Sequence, residues 1–154
     1  MNISFEYSQN LNALNTLDST TMRMDAVKSF NQALLRGQIR HFLAQIFRIE
    51  NHLETFDSQP ISSHRSTSRI VTIPIRQIKG SLGRTEDFDA SFNPLQERSR
   101  SRWVSILTAI RSHIPLPPVE LVRVGDSYYV QDGHHRISVA RSLDQEAIEA
   151  CIMN

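Results

Sequence analysis

A chain of 154 residues fits one compact domain, or a small domain with an accessory segment, and its 40% apolar share can build a core rather than stay disordered. A net charge of +1 argues against non-specific nucleic-acid binding through bulk charge. Residues 1–69 carry 7 basic and 6 acidic groups and residues 70–154 carry 10 of each, so any anion site must be local.

Of the 17 cations 15 are arginine, the side chain suited to bidentate phosphate recognition, although biased genomic composition explains that skew equally well. The single Cys151 excludes an internal disulfide framework and a Cys-rich zinc site. No basic region followed by an apolar run reads as a signal peptide. No apolar segment approaches the ~20 residues that span a bilayer. A soluble, cytoplasmic protein is the expectation.

Residues 1–21 are rich in Asn, Ser and Thr without sustained periodicity and read as a loose arm. From Asp25 onward, Val27, Phe30, Leu34, Ile39, Phe42, Leu43, Ile46, Phe47 and Leu53 recur at spacings of three and four, the signature of an amphipathic helix. Gly37 is the point where it would split in two. Residues 58–68 read as a linker by composition, which divides the chain into a helical extension (1–57) and a domain (69–154).

After the linker, residues 69–73 form a β-branched run stopped by Pro74, hence a strand. Residues 80–84 read as a turn, followed by the acidic stretch 85–89. Glu97 to His113 carries Trp103, Ile106, Leu107 and Ile110 on one helical face, and the prolines at 115, 117 and 118 end that helix. Residues 119–124 and 127–131 read as two strands joined by a Gly125-Asp126 hairpin turn. Asp132-Gly133-His134-His135 then opens a helix running through Arg136 to Leu143, and residues 147–152 close the chain as a strand.

A strand leading into a glycine turn and a helix is a recurrent anion trap. The first N–H groups of a helix lack internal partners, and the dipole places roughly half a positive charge there. Gly133 permits close approach or positive φ, His134 and His135 offer donors, and Arg136 can clamp a phosphate. Asp132 is either an N-cap, a device that alone stabilises a helix by ~1 kcal/mol, or a Mg²⁺ ligand shared with the phosphates. Most such junctions bind nothing, and adjacent histidines on a helix point apart, which makes them weak metal evidence. A zinc site would need His134 or His135 to meet His113 and Cys151, a combination without recognised spacing. The run Arg98 to Trp103 is a local basic patch that reads best as a solvated helix start.

Taken in order, Ile73-Pro74-Ile75-Arg76-Gln77-Ile78, the Gly80-to-Arg84 loop, a helix, a Pro-rich lead, two strands and Gly133-His134-His135-Arg136 resemble the ParB/sulfiredoxin superfamily over about residues 70–152. The resemblance implies an α/β (α+β) fold, a small mixed sheet with helices, preceded here by a helical extension. Sulfiredoxins resemble the turn as Gly-Cys-His-Arg, and His134 stands where their reacting cysteine would be. ParB proteins read Gly-Glu-Arg-Arg, of which Arg136 alone is matched. The Asp-Gly-His-His-Arg form is similar to that of free-serine kinases. That likeness implies ATP or ADP with Mg²⁺ and phosphoryl transfer to a small-molecule acceptor, while the resemblance to ParB implies CTP, and nucleotide hydrolysis is the other reaction class. It further implies Gly133, His134, His135, Arg136, Arg84 and Ser81 around the phosphates. A kinase also needs a metal-binding carboxylate, for which Asp132 is the best candidate, and a base, for which Glu86 or Asp87 ranks ahead of Asp89 in the one acidic cluster near the expected site. The plainer reading of that cluster is a solvated helix start, where carboxylates complement the dipole.

Three functions follow as alternatives. The first is nucleotide binding with or without phosphoryl transfer. The second is a non-catalytic regulatory module of the same fold, with a homodimer formed through residues 25–55. The third is ParB-like DNA binding or cleavage, against which the near-neutral charge and the absence of a recognisable helix-turn-helix both count.

Overall fold

The computed structural model describes the backbone of residues 3–55, 69–83 and 86–153, with side chains from Asp18 onward. Ile3–Phe47 is one helix, α1, roughly 65–70 Å long at 1.5 Å per residue. The arm expected over residues 1–21 is therefore helical from Ile3. Its Asn, Ser and Thr residues each cost at most about 0.7 kcal/mol of propensity, too little to stop a helix continued by well-packed turns. Nor does Gly37 divide α1. It is buried against the segment Asn93–Leu95, where an added Cβ would lie 2.6 Å from the Pro94 carbonyl oxygen, so glycine here serves close packing. The helix stops where Arg48 takes φ 53° and Ile49 N–H bonds back to Ala44 O at 2.9 Å. Leu53 consequently leaves the helical stripe and enters the core.

A six-stranded mixed sheet follows, built from β1 (Glu54–Thr55), β2 (Ile70–Pro74), β3 (Ile78–Ser81), β4 (Val119–Val124), β5 (Ser127–Asp132) and β6 (Ala147–Met153). Its order is β1-β3-β5-β4-β6-β2. Strands β4 and β5 are the antiparallel hairpin expected around Gly125. β3 runs parallel to β5, while β6 inserts between β4, to which it is parallel, and β2, to which it is antiparallel. Gly80 and Ser81, expected as a turn, belong to β3, because Gly80 pairs with Glu54 on one side and Tyr129 on the other. The bend comes only at Leu82 and Gly83. The linker expected over 58–68 lies outside the described residues.

Two more helices lie among the described residues: α2 (Arg100–Arg111), entered through a 3-10 turn at Glu97–Ser99, and α3 (His134–Ser142). They make a three-layer arrangement with α3 in the middle. Ile137 of α3 packs with Val119, Leu121, Val130 and Ala150 of the sheet and with Phe88 and Phe92 of the loop before α2. Val139, from the other side of α3, packs with Trp103, Val104 and Leu107 of α2 and with Ala26, Phe30 and Ala33 of α1. The rings of Phe30 and Trp103 meet edge to face with centroids 5.7 Å apart, and Trp103 Nε1 donates to Ser138 Oγ at 2.9 Å, so the buried indole N–H is satisfied. The fold is thus α/β with an N-terminal helix that shares a core with the helical layer. No helix among the described residues is long and apolar enough to cross a membrane.

Candidate functional site: the N-terminal end of helix α3

β5 delivers the chain to Gly133, which sits in the left-handed region (φ 102°, ψ 18°) as the N-cap of α3. A side chain is excluded twice over. The backbone is in a region L-residues rarely adopt, and a Cβ would lie 2.6 Å from Val119 Cγ1. The first intrahelical bond is Ile137 N–H to Gly133 O at 3.0 Å, and no side chain caps the helix start. Asp132 is therefore not the N-cap that its position suggested. Its Oδ2 accepts from Arg136 Nη2 at 2.7 Å, an i,i+4 pair across the first turn. Arg136 Nη1 also donates to the carbonyls of Pro117 and Pro118 (2.8 Å to the latter), tying the helix to the proline-rich lead into β4.

Both histidines are buried, because α3 is enclosed by the other two layers. His134 Nε2 lies 2.5 Å from Ser81 Oγ, and its ring stacks on Phe88 with centroids 6.2 Å apart. Ser81 is itself fully buried, and its hydroxyl accepts from Gly83 N–H at 2.9 Å. The pair thus links the end of β3 to the start of α3. His135 meets the same Phe88 ring edge-on at 5.2 Å.

A pocket of about 300 Å³ opens at this helix start, lined by Asp132, Gly133, His134, His135 and Arg136 together with Arg102, Ile106, Leu116 and Pro117. Arg102 was grouped with a solvated basic run, yet here it faces the first turn of α3 and forms no ion pair with any described residue. The signal for it was present in the sequence. Arg102 and Ile106 are four apart, hence on one helix face, and Trp103 beside them had to point inward.

The expected acidic partners lie elsewhere. Glu86 is exposed and lines a different cavity with His41 and His52. Asp87 pairs with Arg98 at 2.5 Å. Asp89, ranked behind both, is the buried one: Oδ1 accepts from Ser91 N–H at 2.9 Å and Asn93 N–H at 2.8 Å, and Asn93 Nδ2 donates to both oxygens. It shapes the loop that carries Phe88 and Phe92. Arg84 lies outside the described residues.

Mg²⁺ ordinarily takes one or two carboxylates and fills its octahedron with water and substrate oxygens. Asp132 offers one carboxylate, already engaged by Arg136 through Oδ2. Among the described residues no group of three or more His, Cys, Asp or Glu side chains could hold a metal ion.

No family model matches the chain, and no curated protein matches it. Among solved structures, the crystal structure of sulfiredoxin from Arabidopsis thaliana is similar, with a TM-score of 0.43 and 22% identity over 56% of this chain and 85% of that one.

Proposed function

We propose that this chain is a nucleotide-binding domain that holds the phosphates of a nucleoside di- or triphosphate at the start of α3. The observation that carries this reading is the convergence of Arg102 and the first turn of α3 on one pocket. A helix start with no side-chain cap presents backbone N–H groups and the positive end of the dipole, and Arg102 adds a full charge with bidentate geometry. Ile106, Leu116 and Pro117 supply an apolar wall for the rest of the nucleotide. The volume suits the phosphates and leaves the base near the rim, since pockets for whole ligands run about 300–1,000 Å³.

The residues support binding more than turnover. Arg136 holds Asp132, and Glu86 lines another cavity, so phosphoryl transfer to an acceptor would need a base from outside this set. Calorimetry with ATP, ADP and CTP, with and without Mg²⁺, tests the reading. Arg102→Ala should weaken nucleotide binding by about 1.5–3 kcal/mol, the worth of a charge-assisted contact, with the melting temperature unchanged. No binding of any nucleotide at millimolar concentration, or equal binding by the variant, would overturn it. Arg136→Ala is a poorer probe, because it also releases Pro117, Pro118 and Asp132.

A further inference from the structure

At the opposite end of α3 lies a larger cavity, of about 860 Å³, that shares no lining residue with the pocket above. Four elements bring cations to it: Arg36 and Arg40 from one face of α1, Arg76 from the 3-10 turn after β2, Lys79 from β3, and Arg141 from the last turn of α3. In a chain whose net charge is +1, five cations around one cavity is a concentration that mutual repulsion disfavours unless an anion offsets it.

The protein's own carboxylates do not supply that offset. Asp144 and Glu146 line the cavity, but neither forms an ion pair with any described residue. Asp89 reaches Arg40 Nε at 3.7 Å, yet its oxygens are already committed to Ser91 and Asn93.

Arg141 is the fixed part of the site. Its Nη2 donates to Ile78 O at 3.0 Å and to Ile75 O at 3.4 Å, and its guanidinium lies 4.8 Å from the centre of the Phe92 ring. Its Nε is buried with no hydrogen-bond partner among the described residues. Burial lowers its pKa, and the charge of Asp89 opposes that shift. The negative pole of α3 is the obvious objection to an anion here. It is muted because the last carbonyls are already accepting: Val139 O from Leu143 N–H and Ser142 Oγ, Ala140 O from Leu143 and Gln145 N–H, and Arg141 O from Asp144 N–H.

We infer that this cavity binds a small, multiply phosphorylated anion, gripped by Arg36, Arg40, Arg76 and Lys79 over a base formed by Arg141. Arginine-rich recognition favours phosphate, which guanidinium groups bind in bidentate fashion. The cations converge on one cavity from four separate elements instead of lining a stripe, and that favours a compact anion over an extended nucleic-acid backbone. The site is independent of the nucleotide pocket and stands or falls separately.

The test is calorimetry on the full chain with inorganic tripolyphosphate, comparing wild type with Arg76→Ala/Lys79→Ala, Arg36→Ala/Arg40→Ala and Arg102→Ala. Arg76 and Lys79 are exposed, so that variant keeps the fold even if loosening the Asp89 loop harms the α1 variant. Each cavity pair should weaken one binding event by about tenfold or more, as expected on losing charge-assisted contacts. Arg102→Ala should leave that event intact. Absence of tripolyphosphate binding at millimolar concentration, or wild-type binding by Arg76→Ala/Lys79→Ala, overturns the inference. So does a single-stranded oligonucleotide that outcompetes tripolyphosphate for this site. Binding lost only in Arg102→Ala overturns the inference while leaving the nucleotide pocket standing.

Discussion

With φ at 102° and Val119 packed behind it, Gly133 occupies a position that no side chain fits. Gly133→Ala is expected to cost roughly 2–4 kcal/mol, combining left-handed strain with overpacking against Val119, as measured by denaturant unfolding. A loss below about 0.5 kcal/mol would show that β4 yields freely at this point. The need for glycine there was legible in the sequence, because a glycine between a strand and a helix commonly serves a positive φ or a close approach. The partners of its neighbours were not. Asp132 looked like a cap and Arg136 a free clamp, since nothing local reveals that the Pro117 and Pro118 carbonyls come to lie beside them. Asp89 misled in the same way, its burial being decided by the loop that it organises.

At the scale of elements, legibility followed the range of the interactions. The β4–β5 hairpin and α3 were readable because their turn residues and apolar spacing are local. The N-terminal half of α1 was not, because its polar composition argues for no state in particular. β3 was missed at Gly80, whose role depends on strands distant in sequence. What α1 leaves uncovered is also informative. Ala26, Phe30 and Ala33 are buried, whereas Leu35, Ile39, Phe42 and Ile46 form a stripe at spacings of four, three and four, each of them 49–61% exposed. That spacing suits helix pairing, and it is the place to test the homodimer expected through residues 25–55. Phe42→Glu/Ile46→Glu should convert a dimer to a monomer in light scattering, while changing the monomer's own stability by no more than about 0.5 kcal/mol per exposed site. A wild-type mass equal to one chain at high micromolar concentration would exclude such pairing.

For the molecule as a whole, the central fact is the enclosure of α3. One helix of nine residues packs on the sheet through Ile137 and on α2 and α1 through Val139. Its two ends open into two pockets on opposite sides of the same core. A rigid helix of about 13 Å therefore separates the pocket proposed for a nucleotide from the cavity proposed for a second anion.

The insertion of β6 between β4 and β2 also sets an order of events in time. The β4–β5 pairing closes a two-residue turn, whereas β2 reaches its partner only across most of the domain, at Ile70 with Cys151. Closing a long loop costs entropy before it returns any contact, and distant pairings form late. Pulse-labelled hydrogen exchange during refolding should protect the amides of β4 and β5 first and those of β2 last, and early protection of β2 would contradict this. Strand β2 precedes the others of the main domain in sequence yet waits for β6, so for part of folding it exists as an unpaired, β-branched edge. That interval is when the chain is most exposed to pairing with the wrong partner.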